Sequence, residues 1–586
     1  MYLSQRQVNG RIHFIHYVIL LLIFILAGRL FYLQVIRYDE LKTKAEIQQR
    51  RPIALSKKRG LITDRNGDKN VLAIDTQSVS IYAYPKEYKL EKYPLSQTAQ
   101  KVAAITGEDI EKVKKKLNQK SFIWLKRQMD TKLLPKIKAI KTPGINYVFE
   151  SKRIYPKREL ASSLIGFTGI DNDGLSGIEH SFDSVLTGRI EQEKIFLDAR
   201  GYEVLNHEST DQVTTSKAKT NKVRLTLDEN IQYIAERELE KGLKEYKAKR
   251  GLAILMDVDN GDLLGLATYP NYDINKYSDV LKDKKNWEII KNWAVTDVYE
   301  PGSTMKIFSI AAALEMGKVQ TNEYIACPGV IKVDGWTVHD HGGSANRVKQ
   351  LRPVDIIKTS SNVGTSLVSR RMKPFEHRNM LTKFGFGKRT DSELSGEVNG
   401  MLPELPWVQS RQSTISFGQG IAVTPLQIVT AMSAIVRKGI RIEPRIIKEI
   451  VGPDDKVIKE YKSKEIRTLS EDTAEKMRKI LIEVVEDKEG TGKATRIPGY
   501  AIAGKTGTAD KVENGHYSGN VIASFLGFYP AEKPKVLAFV LFDSPQTAHF
   551  ASMTAVPVFR EIAGGVLKYL RIPPSKPEEL LEKDKK

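Results

Sequence analysis

Leu252-Ala253-Ile254-Leu255-Met256-Asp257-Val258-Asp259-Asn260-Gly261-Asp262-Leu263-Leu264-Gly265-Leu266-Ala267-Thr268 reads as two apolar runs, Leu252–Val258 and Leu263–Thr268, joined across a tight turn. Asn-Gly tolerates the positive φ that a two-residue turn demands, so the spacing predicts a β-hairpin. Comparable runs return only near the C-terminus, at Ala501–Ala503, Val521–Phe528 and Val536–Phe542. Before the hairpin, Asp228 is placed to N-cap a helix whose apolar face is Ile231, Ile234, Ala235, Leu239 and Leu243. After the last run, an amphipathic helix extends from about Val556 to Leu570. Strands at both ends of one domain therefore enclose a long, mostly helical middle. The simplest arrangement that buries these faces is a five-stranded antiparallel sheet, with the terminal helices on one face and a helical insertion on the other. That makes an α+β domain.

Upstream, Asp211–Lys222 is polar and aperiodic, as expected of a linker. Before it lies a β-rich region opening with Arg59-Gly60-Leu61-Ile62-Thr63-Asp64-Arg65-Asn66-Gly67, in which Asn66-Gly67 marks a turn and Val79–Tyr84 alternates as a strand. Lys-rich helical patterns around Gly107–Lys120 and Thr131–Ile140 interrupt it, and a charged helical stem over residues 37–58 precedes it. From Phe14 to Leu33 the chain is almost wholly apolar, broken by His16 and Arg29. As a helix, about 20 such residues reach ~30 Å, enough to span a bilayer core. Arg6 and Arg11 precede this segment without an acidic residue, which favours an inside N-terminus. The segment after it is also basic, but large domains translocate largely regardless of such charge. Leu26 stands where a small residue would be needed before Ala27-Gly28, so a cleavage site is missing and the segment reads as an anchor. The expected organisation is a cytoplasmic leader (1–13), a transmembrane anchor (14–36), a stem and pedestal (37–222), an α+β domain (223–572) and a polar tail (573–586).

Composition sets outer limits. A chain of 586 residues exceeds one ordinary domain, and 41% hydrophobic residues exclude global disorder. The net charge of +21 is spread along the chain, with clusters at Arg50, Arg51, Lys57, Lys58, Arg59 and at Lys112, Lys114, Lys115, Lys116. No nucleic-acid-binding motif accompanies it, and a Lys-rich surface near anionic lipid headgroups accounts for it better. The single cysteine, Cys327, excludes an intramolecular disulfide and a thiol metal site. No repeat of solenoid length is visible.

Three short segments carry side chains suited to chemistry. In Glu300-Pro301-Gly302-Ser303-Thr304-Met305-Lys306, Pro-Gly ends a loop and a helix follows to Glu315, stopped by Gly317. Ser303 then lies at the first helical turn, where free N–H groups favour an oxyanion, and Lys306 lies one turn on, on the same face. A lysine there takes a serine proton if burial and a neighbouring cation lower its pKa. Alone the pattern is weak. Ser216-x-x-Lys219 repeats it in the linker, and a serine at a helix start is ordinarily just a cap. Ser360-Ser361-Asn362 could place a hydroxyl and an amide in one cleft, yet Ser344-Ala345-Asn346 and Ser518-Gly519-Asn520 match it too. Gly504-Lys505-Thr506-Gly507-Thr508 follows the strand-like Tyr500–Ala503, and its Lys-Thr-Gly occurs once. On an edge strand, Gly507 would let a ligand backbone approach, with Lys505 and the two threonines placed to bind a carboxylate. His339-Asp340-His341 invites a metal reading, but no third ligand is evident.

In chain order, S-x-x-K, S-x-N and K-T-G form the set carried by penicillin-binding proteins and class A β-lactamases. The chain resembles a class B penicillin-binding protein, most like the cell-division (FtsI-type) branch. Asn292–Asp297, Ser416-Phe417-Gly418-Gln419-Gly420, Thr424-Pro425-Leu426-Gln427 and Gly490-Thr491-Gly492-Lys493-Ala494 share the likeness. So do the pedestal segments Arg59–Gly67, Arg153-Ile154-Tyr155-Pro156 and Gly174-Leu175-Ser176-Gly177-Ile178-Glu179. The resemblance implies a penicillin-binding, serine β-lactamase-like transpeptidase fold on a pedestal of the dimerisation type. It also implies acylation of Ser303 by the D-Ala-D-Ala end of a peptidoglycan stem peptide and resolution by an amine of a neighbouring stem. Lys306 would be the base, Ser360 the proton relay and Asn362 an orienter. Lys505, Thr506 and Thr508, with Gly507 between them, would hold the terminal carboxylate, and the N–H groups of Ser303 and Thr508 would form the oxyanion hole. β-Lactams would trap Ser303, and neither metal nor organic cofactor is implied. Implied partners are a SEDS-type (FtsW-like) glycosyltransferase acting on lipid II-derived glycan, and other division proteins.

Two places depart from the family pattern: Asp68–Leu72 is one residue longer than expected, and His549-Phe550-Ala551-Ser552-Met553 replaces a glycine pair. Other functions fit less well. A class A β-lactamase would carry Glu-x-x-Leu-Asn between Asn362 and Lys505, and a D,D-carboxypeptidase would not need the pedestal. A β-lactam sensor or low-affinity resistance protein, an elongation-type transpeptidase and a non-catalytic division scaffold remain as alternatives.

Overall fold

The hairpin forms as expected. Strands β1 (Arg250–Asp257) and β2 (Leu263–Tyr269) pair antiparallel, with Leu252 opposite Thr268. Three C-terminal strands complete the sheet: β3 (Ala503–Glu513), β4 (His516–Tyr529) and β5 (Val536–Asp543). Their order is β3-β4-β5-β1-β2, antiparallel throughout. One row crosses the whole sheet as Gly507, Ser524, Leu541, Leu252 and Thr268. β3 begins where the apolar run Ala501–Ala503 ends, so the Lys-Thr-Gly segment lies inside the edge strand and not after it. The structure, a computed structural model, describes residues 5–53, 57–85, 94–119, 122–188, 193–196, 220–341, 348–513 and 516–583. Ser216-x-x-Lys219, Ser344-Ala345-Asn346 and the expected linker up to residue 219 lie outside the described residues.

Both faces of this sheet are covered, which is why its strands read as apolar runs and not as alternation. On one face, Ala253, Leu255, Val540 and Phe542 pack against helices α1 (Glu229–Tyr246) and the C-terminal helix Ala555–Tyr569, through Ile231, Ala235, Leu239, Val556, Phe559 and Ile562. Asp228 caps α1 as expected, accepting from the N–H groups of Asn230 and Ile231. On the other face, Leu252, Ile254, Met256, Phe539 and Leu541 join the core of the helical middle. That middle includes α2 (Met305–Glu315), α3 (Asn362–Ser369) and α4 (Pro425–Val436). Every residue of α2 from Met305 to Ala313 is buried, as suits a helix that is apolar nearly all round.

The chain divides into two compact units, Lys58–Asp75 with Arg153–Arg189 and Ala218–Lys586, and Met1–Lys57 with Thr76–Lys152 and Ile190–Lys217. The former holds the five-stranded sheet. It also contains the strand Lys222–Leu225, which pairs with Ile447–Val451 on one side and, in parallel, with Ile62–Asp64 on the other. The three pedestal segments singled out in the sequence converge in this unit on one carboxylate. Glu179, wholly buried, accepts from Arg59 Nε at 3.0 Å, Arg153 Nε at 2.7 Å and the Tyr155 hydroxyl at 3.2 Å. Asp183 also pairs with Arg59, and Asp75 with Arg153.

In the other unit, helices Leu95–Thr106 and Ile110–Leu117 bury Val102 and Val113 with Val79, Ile81 and Leu125. The stem helix Tyr38–Gln49 stops short of the expected residue 58, because Arg50–Ile53 pairs as a strand with Glu193–Phe196. The N-terminal helix Gln5–Phe31 runs on through a π-helical turn, Tyr32–Ile36. Within it Asn9–Ile36, at mean hydropathy 2.4, is long and apolar enough to cross a membrane and packs against nothing described.

Candidate active site

Ser303 lies in a 3₁₀ turn, Gly302–Thr304, that leads into α2. Gly302 has φ +54°, and a Cβ there would stand 2.9 Å from both Ala509 Cβ and Thr508 O. On its other side Gly302 N–H donates to Gly418 O at 3.2 Å, and a Cβ on Gly418 would meet Gly302 O at 2.2 Å. The serine turn is thus wedged between β3 and the Ser416–Gly420 loop, and only glycine permits both approaches. This brings the two segments bearing the Ser303 and Thr508 N–H groups into contact. Gly507 adds a third tight point, since a Cβ there would meet Ser524 Oγ at 2.5 Å and Thr304 Cγ2 at 2.9 Å.

Lys306, one turn after Ser303, is completely buried, as is Lys505 on β3. Both reach Ser360. Lys306 Nζ donates to Ser360 O at 2.5 Å and to Ser360 Oγ at 3.1 Å, and Lys505 Nζ donates to Ser360 Oγ at 3.1 Å. Lys505 Nζ also contacts Thr506 O at 3.0 Å and Thr506 Oγ1 at 3.3 Å. Burial, then the charge of Lys505, push the Lys306 amine well below the usual lysine value, against a smaller opposing pull from Asp340. Burial brings Lys505 down to about 7. A neutral Lys306 has two N–H donors, and the two contacts to Ser360 use both, leaving its lone pair to receive a proton. Among the described residues Ser303 Oγ makes no hydrogen bond, so serine and lysine share a turn without being joined.

Ser360 owes its position to backbone geometry. It has φ +59° between helix Pro353–Lys358 and α3. Ser361 N–H donates to Ile356 O at 2.9 Å and Ser360 N–H to Ile357 O at 3.2 Å, the pairing of a Schellman helix end. Ser360 therefore fills the left-handed site where glycine is usual, at a conformational cost of about 1 kcal/mol. Ser361 then caps α3, accepting from Gly364 N–H at 2.8 Å, while its own hydroxyl donates to Asp340 at 2.7 Å. Asp340 also accepts from Val363 N–H at 3.0 Å, and Asn362 Nδ2 donates to His339 O at 3.1 Å. Asp340 thus ties down the Ser-Ser-Asn turn, a role the metal reading of this stretch did not suggest. Among the described residues no group of three or more His, Cys, Asp or Glu side chains is placed to hold a metal.

Thr506 donates to Thr491 Oγ1 at 3.2 Å, and Thr491 donates to Lys358 O at 3.4 Å, so the Gly490–Ala494 segment braces β3. The Thr508 hydroxyl accepts from Ala551 N–H at 3.4 Å, which puts the divergent His549–Met553 loop beside the site. Phe550 of that loop meets His341 edge to face at 5.7 Å. The matching Ser518-Gly519-Asn520 sits on β4 and takes no part. Sequence reasoning missed Asp340 and Thr491 as partners; only their closeness to motifs in space marks them.

The chain is similar to known proteins over most of its length. The family model described as penicillin binding protein transpeptidase domain matches residues 251–564. That of the penicillin-binding protein dimerisation domain matches residues 55–220. The probable peptidoglycan D,D-transpeptidase PenA of Neisseria meningitidis serogroup A is 36% identical over 579 residues, covering 97% of this chain and 94% of that protein. The peptidoglycan D,D-transpeptidase FtsI of Escherichia coli (strain K12) is 33% identical over 571 residues, covering 95% and 91%. Among solved structures, penicillin binding protein 3 from Mycobacterium tuberculosis, complexed with ampicillin, aligns with a TM-score of 0.68 at 27% identity, over 89% of this chain and 97% of that one.

Proposed function

This chain belongs to the class B penicillin-binding proteins, and from that premise we propose that it is a membrane-anchored peptidoglycan D,D-transpeptidase working through an acyl-enzyme on Ser303. The observation that carries the reading is the meeting of two buried lysines on the hydroxyl of Ser360, one turn from Ser303.

Lys306, its amine held well below the usual lysine value by burial and by the charge of Lys505, takes the Ser303 proton as Oγ attacks the carbonyl of the penultimate D-Ala. The N–H groups of Ser303 and Thr508 stabilise the oxyanion. The C–N bond to the terminal D-Ala breaks, and the proton passes from Lys306 through Ser360 Oγ to the departing amine. Lys505, Thr506 and Thr508 hold the terminal carboxylate, and its negative charge favours the protonated form of Lys505. Gly507 lets β3 lie close against the serine turn beside the bound stem peptide, and Asn362 orients that peptide. An amine of a second stem then attacks the ester, loses a proton along the same relay and frees Ser303. β-Lactams acylate the same serine.

The Asn9–Ile36 helix anchors the chain with its N-terminus inside, after Arg6 and Arg11, and the catalytic domain on the outer side. The role is septal wall synthesis beside an FtsW-like glycosyltransferase that polymerises the glycan. The test supplies the detergent-solubilised chain with a D-Ala-D-Ala-ended stem peptide and an amine-bearing stem peptide. A peptide-bonded dimer with release of one D-Ala supports the proposal. Hydrolysis alone, without dimer, makes the protein a carboxypeptidase instead.

A further inference from the structure

The mechanism makes no use of His377 or Ser309, yet hydrogen bonds join this buried pair to the serine turn. Ser309 lies on α2, one turn beyond Lys306, and His377 lies on the helix Pro374–Lys383. Both are wholly buried. Ser309 Oγ stands 3.2 Å from His377 Nε2 and 3.0 Å from Ser416 O.

The second contact decides the first. Ser416 ends the helix Gln409–Ser416, where carbonyls lack partners within their own helix. A carbonyl oxygen only accepts, so the single Ser309 proton points at Ser416. The hydroxyl keeps lone pairs alone for His377, and Nε2 is therefore the ring nitrogen that carries hydrogen. Nδ1 is left as a bare acceptor, and it is buried without a hydrogen-bond partner among the described residues. Trp407 meets the ring edge to face at 5.9 Å, but its indole N–H goes to Pro403 O. Burial lowers the imidazole to about 3, so the ring is neutral near pH 7.

Two residues beyond Ser416, Gly418 N–H returns to Ile415 O at 3.0 Å, and Gly418 O accepts from Gly302 N–H at 3.2 Å. Gly302 directly precedes Ser303. The contacts thus close a ring: from Ser309 on α2 to Ser416, along the loop to Gly418, across to Gly302, and through Ser303 back into α2. Slack at Ser416 would pass to Gly418 and on to the N–H and Oγ of Ser303.

We propose that His377 is a positioning residue for acylation: its Nε2–H fixes the Ser309 hydroxyl on Ser416 O, and the Ser416–Gly418 loop so held keeps the Ser303 turn in its reactive place. This rests on Ser303 being the acylated residue and deepens that reading. His377 itself touches neither substrate nor reacting atoms.

The test follows acylation of the detergent-solubilised full-length chain by a fluorescent penicillin over a range of concentrations. That separates the dissociation constant of the first complex from the rate constant of acylation. Ser309→Ala and His377→Leu should each lower the rate constant about tenfold while the dissociation constant changes less than about twofold, as misplacement of a reacting group does. His377→Gln, whose Nε2 still donates, should recover to within about threefold of wild type. The double variant Ser309→Ala with His377→Leu should be no slower than either alone, because both break one linkage. A wild-type rate in Ser309→Ala, a loss that lies in the dissociation constant, or His377→Gln as slow as His377→Leu would overturn the proposal. So would losses that multiply in the double variant. NMR of histidine-labelled wild type reads the pin without any variant in the acylation assay. The neutral Nε2–H tautomer at His377 supports it, and the Nδ1–H tautomer or a charged ring overturns it. If wild type is not acylated at all, the acyl-enzyme reading fails separately, and the tautomer alone decides the pin.

Discussion

Replacing Lys505 with methionine should remove activity and, at the same time, flatten the pH dependence of stability. Lys505 sits in the folded protein at about 7, against an ordinary 10.5, because burial disfavours its charged form. Between those two values the unfolded chain binds a proton that the folded chain does not. Stability therefore rises with pH across that window, and below pH 7 the full penalty is present. At ~1.4 kcal/mol per pH unit, the penalty carried by wild type is larger near pH 6.5 than near pH 9.5 by about 3 kcal/mol. Methionine abolishes that term. It also deletes the contacts to Ser360 and Thr506, at ~1 kcal/mol for each hydrogen bond, but that loss does not vary with pH. Lys306 moves the same way, since removing Lys505 relieves one of the causes that lower it. The assay is thermal unfolding of the detergent-solubilised chain, wild type and Lys505→Met, at about pH 6.5 and 9.5. The variant should gain on wild type by several degrees as pH is lowered. A difference in melting temperature that is the same at both pH values would refute the claim that Lys505 is buried and neutral.

Ser360→Gly and Ser360→Ala should both slow β-lactam acylation at least about 100-fold, as loss of a general acid–base relay does. The glycine variant should be the more stable by ~1 kcal/mol, because only it relieves the positive φ, and equal stability would count against the strained turn. Gly507→Ala, whose Cβ would meet Ser524 Oγ at 2.5 Å, should slow acylation at least about tenfold through displacement of β3 from the serine turn. A wild-type rate would show that this approach does not matter. Glu179→Ala leaves Arg59 and Arg153 without their shared buried partner and should cost ~3–5 kcal/mol, read as a large fall in melting temperature. An unchanged melting temperature would contradict the buried cluster.

The hairpin and the covering helices were legible because turn chemistry, cap and apolar run all point the same way there. β3 was less so. Gly504, Lys505, Thr506 and Gly507 break the apolar pattern, and only the ladder with β4 makes them a strand. The length of the stem helix was misjudged because pairing of Arg50–Ile53 with residues far along the chain overrides local helical character. At the candidate site, the sequence named Ser303, Lys306, Ser360 and Lys505 separately, and the fold brings the last three onto one hydroxyl. The left-handed Ser360 could not be read beforehand, since a Schellman closure usually announces itself by glycine. Asp340 was visible only as a candidate ligand, because its use as a brace depends on α3 starting beside it.

The central claim is that Ser303 forms a slowly resolved acyl-enzyme. Intact-mass measurement of the full-length chain after incubation with penicillin, alongside Ser303→Ala, tests it most directly. A stable adduct on wild type that is missing from the variant is the predicted result. An adduct that persists in Ser303→Ala, or a wild-type chain left unmodified while the penicillin stays intact, would contradict it.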